Sequence, residues 1–234
     1  MIVQTVEHMT SLDAWRDGVA ALLRAGGSMN NLITTIHQPC TIAPHWMSDR
    51  SPHRFSARSD DIRDVANTIF PAKLVARAAN RTDLYAMYLQ RHDRAHRWTR
   101  GRYVWGTYFE RLVRFPPSGV NQLERVINKL CTWPRNTTGL VFHLSSPTID
   151  TPRTRGGPCW HYGELLWNVD ELIDLVVVYR NHDFYNKVLG NFIGLGQLLQ
   201  FICDQSGKRP GKLVCHSVHA YHDGSVRALR AMAA

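Results

Sequence analysis

The sequence predicts a single α+β domain, and three observations carry that prediction. Apolar residues recur at helical spacing in several segments, as Leu12, Trp15, Val19, Leu22 and Leu23 do. Short β-type runs stand among these segments; Val176-Val177-Val178 is β-branched and apolar, as a core strand is. No internal repeat, low-complexity stretch or linker divides the 234 residues.

Taken in order, residues 11 to 25 form a helix that Gly26-Gly27 ends as a C-cap does. Residues 31 to 59 mix short β-type runs with turns, as in Asn31-Leu32-Ile33-Thr34-Thr35-Ile36. Ser59-Asp60-Asp61 opens a second helix with Ile62, Val65, Ala66, Ile69 and Phe70 on one face, and Pro71 breaks or kinks it. The pattern predicts continued helix from Leu74 to Leu89, a polar and basic connection over Arg91 to Arg102, and an aromatic-rich segment over Tyr103 to Arg114.

Val120 to Leu130 is an amphipathic helix, with Val120, Leu123, Val126, Ile127 and Leu130 as its stripe. Trp133-Pro134-Arg135-Asn136 is a turn and Thr138 to Leu144 a buried strand. Pro147 to Pro158 reads as a loop that delivers Cys159. Trp160 to Leu166, Leu172 to Tyr179 and Leu213 to Val218 read as strands. Asn191 to Cys203 is the most apolar helix of the chain, and Gly190, Gly194 and Gly196 permit a close approach to its first turns.

Composition narrows the class. Hydrophobic residues make up 44% and charged residues 20%, which suits a soluble globular protein whose core needs no staple. The five cysteines, Cys40, Cys131, Cys159, Cys203 and Cys215, are odd in number and without framework spacing, so a reducing cytoplasm fits best. No signal peptide is visible at the start, and no apolar run reaches the roughly 20 residues that span a bilayer. A net charge of +9 implies attraction to anions. The arginines are scattered, and no basic helix alternates with stacking aromatics, so nucleic-acid binding rests on charge alone. Nucleotides and polyanionic cofactors satisfy the same charge.

The run from Gly156 to Tyr221 holds the chemistry. It contains Pro158-Cys159, then Tyr179-Arg180-Asn181-His182-Asp183, then Asn191, and last His219-Ala220-Tyr221. A lone cysteine is more often a buried structural residue; this one is followed by a set of polar groups suited to a nucleotide. A thiolate adds to C6 of a uracil ring and turns C5 into an enolate-like nucleophile. It must ionise, so cationic neighbours lower its pKa; Arg153 and Arg155 lie just upstream. An arginine fork suits phosphate, although a strand-end surface ion pair is the plainer reading of Arg180. Asn191 is also a favoured helix N-cap. His219 and Tyr221 project to the same side of a strand. Cys215, His216, His219 and His222 invite a metal, but their pairings fit no standard zinc spacing.

The order and spacing of these residues resemble the thymidylate synthase family, which includes the pyrimidine nucleotide hydroxymethylases. The clear resemblance covers about Gln122 to Tyr221. It implies a thymidylate synthase-like single domain, a mixed sheet flanked by helices, and a homodimer through the sheet face. It implies Cys159 as nucleophile, with Arg180 in the family's Arg-Ser-x-Asp pattern. Arg180 and Asn181, the latter standing where serine is usual, would then hold the phosphate. Asp183 and Asn191, eight residues apart, would orient the base, and an amide at 191 favours uracil over cytosine. His219 and Tyr221 would hold the sugar. Methylenetetrahydrofolate is the carbon donor that the resemblance implies.

The chain departs from the family in five places. Trp160 follows the cysteine where histidine is usual. Asn136-Thr137-Thr138, with Arg135 the nearest cation, stands where a partner subunit's paired arginines are expected. The amino-terminal phosphate loop has no counterpart, leaving Arg50, Arg54, Arg58, Arg153 and Arg155 as substitutes. Only fifteen residues follow His219, so the family's closing lid is not expected, and water in place of hydride leads to a hydroxymethyl rather than a methyl product. No glutamate stands in the helix after Ser59; Asp61 or Asp64 is the substitute proton-relaying carboxylate. The expected activity is therefore one-carbon transfer to C5 of a pyrimidine nucleotide, and the alternative is a catalytically lapsed nucleotide-binding or scaffold protein.

Overall fold

A computed structural model describes residues 3–42, 61–98, 105–133, 139–152, 156–168 and 170–233. Among them are seven strands: β1 (Gln4–His8), β2 (Ser28–Ile36), β3 (Val141–His143), β4 (Trp160–Trp167), β5 (Leu172–Tyr179), β6 (His182–Asp183) and β7 (Arg209–Tyr221). The helices are α1 (Ser11–Arg24), α2 (Ile62–Ile69), α3 (Ala72–Val75), α4 (Arg81–Trp98), α5 (Tyr108–Val113), α6 (Gln122–Thr132), α7 (Val188–Ser206) and α8 (Val226–Ala233). The α+β class therefore holds, with one mixed sheet in the order β1-β2-β7-β5-β4-β3. β7 runs parallel to β5 and antiparallel to β2.

Period-two patterning sets which face is closed. In β5, Ile173, Leu175, Val177 and Tyr179 are fully buried, while Leu172, Asp174, Val176 and Val178 remain part-exposed. Helices α1 and α7 contact the sheet, and Trp15, Leu22, Phe192, Leu198 and Leu199 belong to the continuous core. Short-range β6 continues the line of β5 along β7. Tyr179 pairs with Ser217, and His182 with Ala220, after an interruption at Arg180 and Asn181. That interruption turns two polar side chains out of the ladder at the end of the sheet.

Several expected boundaries move for tertiary reasons. The expected helix over Leu74 to Leu89 is two pieces, because Asn80 starts α4 afresh by accepting from the Asp83 N–H at 3.0 Å. The polar stretch after Arg91 is helical to Trp98 instead of a connection. There Arg114 forks onto Asp93 at 2.6 and 3.0 Å, holding α4 against α5. Asn191 is not an N-cap: α7 begins at Val188, with Lys187 at the cap position. Strand β1 and helix α8 were not foreseen, and β1 buries Val6 alone among its five residues.

Gly190 and Gly194 of α7 admit another helix, and Gly196 admits the Pro39 carbonyl. A Cβ on Gly190 would lie 2.6 Å from Val65 Cβ and 2.8 Å from the Ile62 carbonyl oxygen. One on Gly194 would lie 2.8 Å from the Ala66 carbonyl oxygen. Helix α2 thus packs backbone-close against α7, directly beside Asn191.

Candidate functional site

The site forms where the loop before β4 meets the end of β5. Gly156 and Gly157 both take positive φ, +82° and +94°, which side-chain-bearing residues rarely adopt, and so turn the chain into Pro158-Cys159. Behind this loop lies a buried ion pair. Arg111 donates through Nη1 to Asp150 Oδ2 at 2.5 Å and through Nη2 to Oδ1 at 2.9 Å, with further bonds to the Leu144 and Trp105 carbonyls. Asp150 also accepts from the Ser146 N–H at 2.7 Å. This clamp ties residues 144–150 to α5. The same helix brings Tyr108, whose hydroxyl accepts the backbone N–H groups of Cys159 and Trp160 at 3.2 and 3.3 Å.

Cys159 is half-buried and lies across the strand pair from Arg180, whose backbone N–H donates to the Cys159 carbonyl at 2.9 Å. The Arg180 guanidinium donates Nε–H to the Pro158 carbonyl at 3.1 Å and Nη2–H to the Gly156 carbonyl at 3.2 Å. It therefore braces the cysteine loop with two of its five N–H groups and has Nη1 to offer an anion. Burial pushes the Cys159 thiol above its ordinary value, and the charges of Arg180 and of Lys187 pull the other way. Lys187 is a cation that sequence reasoning missed, since only the fold of the 183–187 turn brings it toward the sulfur.

Asn181, His219 and Tyr221 lie beside this pair. His219 donates through Nδ1 to Asn181 Oδ1 at 3.1 Å, joining the expected sugar and phosphate contacts. The His219 and Tyr221 rings stack 5.4 Å apart on one side of β7. Burial and the Asp183 and Cys159 charges raise the Tyr221 hydroxyl pKa, which places it in the same electrostatic environment.

Asp183 is buried and engaged with backbone: Oδ1 accepts the N–H groups of Tyr185, Asn186 and Asp223, and Oδ2 accepts from the Asn186 amide at 2.7 Å. Its described bonds are those of a turn clamp. Asn191 is buried and donates through Nδ2 to His182 Nε2 at 3.0 Å. Asp61 caps α2, accepting from the Arg63 and Asp64 N–H groups at 2.9 and 3.4 Å, and Asp64 is exposed. Arg153 and Arg155 lie outside the described residues, as do Arg50, Arg54, Arg58, Arg135 and Asn136-Thr137-Thr138.

Trp160, in the place of the usual histidine, points inward. It is fully buried, donates to the Tyr162 carbonyl at 2.7 Å and stacks on Tyr179, which stacks in turn on His182. An imidazole within the field of Arg180 is instead that of His161; burial, and then the Arg180 charge, lower its pKa. The signal for His161 was only its position two residues beyond Cys159.

Two cavities of about 390 and 400 Å³ lie elsewhere, against α5 and α6, and neither is lined by Cys159, Arg180 or Asn191. The first contains His92, Asp93 and Glu110, whose ligand atoms lie within 4.8 Å of one another. Arg114 donates to both carboxylates there, at 2.6 and 2.7 Å, so the group carries its own counter-ion. No helix among the described residues is long and apolar enough to cross a membrane.

Fold and site together define an α+β protein that presents a thiol beside a loop-bracing guanidinium, with an amide and a His-x-Tyr pair close by. The chain is similar to proteins named "Putative thymidylate synthase" from three archaea. It is 33% identical over 115 residues to that of Methanococcoides burtonii, covering 49% of this chain and 51% of that protein. It is 31% identical over 117 residues to the Methanosarcina mazei protein and 30% identical over 115 residues to the Methanosarcina barkeri protein, with the same shares covered. The matches span about half the length of these relatives. No family model matches the chain. Over that half, the chain resembles these proteins at low identity.

Proposed function

We propose that this protein adds a one-carbon unit, hydroxymethyl or methyl, to C5 of a uracil-type pyrimidine nucleotide through a covalent adduct on Cys159. The observation that carries the reading is the placement of the half-buried Cys159 sulfur in the field of Arg180 and Lys187. The thiolate forms a C–S bond at C6, and the C5=C6 electron pair moves toward C5 and O4. C5 then bonds to the one-carbon electrophile. The carbon, at the formaldehyde level, carries the new hydroxyl, and loss of the C5 proton with departure of the sulfur restores the ring double bond; a methyl product would need in addition a hydride from the donor. Arg180 and Asn181 meet the phosphate, Asn191 meets the base, and His219 and Tyr221 meet the sugar.

The one-carbon donor expected from the resemblance is methylenetetrahydrofolate, which supplies the carbon at formaldehyde oxidation level. The described groups beside Cys159 are cationic and hydrogen-bonding, and they suit the nucleotide. The Trp160 and Tyr179 rings are closed inside the core and do not serve as a stacking platform for a pteridine. No step is therefore routed through the folate. A homodimer through the part-exposed sheet face is in keeping with Val176, Val178, Val214 and Val218 lying there, the last 38% exposed.

Incubation with 5-fluoro-dUMP and methylenetetrahydrofolate, followed by intact mass, tests the reading. A covalent adduct that disappears in Cys159→Ser is expected. Absence of an adduct in the unaltered protein, with dUMP still giving a thermal shift, would instead favour a lapsed nucleotide-binding protein.

A further inference from the structure

The buried imidazole of His182 takes no part in the chemistry above. It lies at the x position of Arg180-Asn181-x-Asp183, on the short strand β6. The ring is 1% exposed, stacks on Tyr179 at 4.1 Å and 7°, and is bracketed edge-on by Phe184 and Phe192. Its Nδ1 lies 2.8 Å from Ser217 Oγ, and its Nε2 lies 3.0 Å from Asn191 Nδ2. Ser217 is fully buried and Asn191 is 4% exposed, so solvent hardly competes for either bond. Ser217, His182 and Asn191 form one chain of hydrogen bonds that joins β7, β6 and α7.

The direction of that chain matters to whatever Asn191 faces. Asn191 Nδ2 carries only donors, so Nε2 must accept from it, and the ring proton then sits on Nδ1 and goes to the Ser217 oxygen. Burial keeps the ring neutral, its pKa pushed down to about 3, so it has one proton and one acceptor to share. A carboxamide spends its outer N–H on His182 and keeps the edge formed by Oδ1 and the inner N–H. That edge offers an acceptor beside a donor, the complement of N3–H beside O4 in uracil. Cytosine presents N3 as an acceptor beside an amino donor. It would need the amide turned over, bringing Oδ1 against Nε2, and that requires the opposite ring tautomer.

Resting on the reading that Asn191 contacts the base, we propose that His182, seated on Ser217, is the positioning residue that sets the Asn191 carboxamide for uracil-type over cytosine-type nucleotides. The test measures dUMP and dCMP dissociation constants by calorimetry for the unaltered protein, His182→Phe and Ser217→Ala, with circular dichroism to verify folding. The Phe variant keeps the stack on Tyr179 but removes both hydrogen bonds. The unaltered protein is expected to prefer dUMP, and His182→Phe to lower the dUMP-to-dCMP affinity ratio by about tenfold, the size of one hydrogen bond. Ser217→Ala is expected to lower it less, in the same direction, and decides the matter if the Phe variant does not fold. General loosening of the site would weaken both nucleotides alike and leave the ratio in place. An unchanged ratio in a folded variant, or a native preference for dCMP, overturns the role of His182 while leaving the nucleotide site intact. If the unaltered protein binds neither nucleotide, the reading of the site itself fails and the inference falls with it.

Discussion

Arg180 is tied to Cys159 and its loop twice: its backbone N–H donates to the Cys159 carbonyl at 2.9 Å, and its guanidinium donates to the carbonyls of Pro158 and Gly156. The arginine thus both holds the cysteine loop and supplies the charge that opposes the burial of the thiol. Removing the charge leaves the burial effect opposed by Lys187 alone. Arg180→Gln is expected to slow iodoacetamide alkylation of Cys159 severalfold at pH 8, read by peptide mass spectrometry against the exposed Cys131. An unchanged rate would show that Arg180 does not tune the sulfur.

The neutral buried state of His182 has a consequence for acid stability. Its folded pKa, about 3, lies below the ordinary value of 6.5, so the unfolded chain binds a proton in this range that the folded protein does not. Stability is therefore fully present above about pH 6.5 and falls as the pH drops toward 3, by up to about 1.4 kcal/mol per pH unit from this group. His161, lowered as well, adds in the same sense. Urea melts from pH 7 to pH 4 should show a shallower decline for His182→Phe than for the unaltered protein; parallel declines would refute the assignment.

Arg111 and Asp150 are both nearly inaccessible, at 2% and 7% of their side-chain surface. Cutting one partner strands the other charge in the core, so Asp150→Ala should cost about 3–5 kcal/mol in urea unfolding. Because Asp150 anchors the loop leading to Cys159, nucleotide binding should weaken as well. A loss below about 1 kcal/mol, the range of exposed ion pairs, would contradict the buried geometry.

Gly190→Ala poses a contest between two effects. Alanine gains about 1 kcal/mol of helix propensity, but its Cβ would meet Val65 and the Ile62 backbone at 2.6 and 2.8 Å. Backbone on the far side cannot rotate away, so overpacking should win, with a net loss of about 1–3 kcal/mol and a lower Tm. A Tm that rises would mean that α2 does not press on α7.

The sequence by itself determined the amphipathic elements and the chemistry available. Stripes such as Leu123, Val126, Ile127 and Leu130 declare a buried helix face because periodicity is local. The Cys159, Arg180 and His219-x-Tyr221 pattern was also readable, but as a resemblance to a known family and not from local periodicity. Only the tertiary structure decided the partners. Asp183 became a turn clamp when the distant Asp223 N–H folded onto it. Asn191 moved from a cap into the fourth position of α7 and turned to His182, and Gly190 and Gly194 met α2. Arg111 found Asp150 across 39 residues of chain. The physical reason is that propensity and period act over a few residues, whereas a buried polar group must be paired by whatever the closed core places within reach.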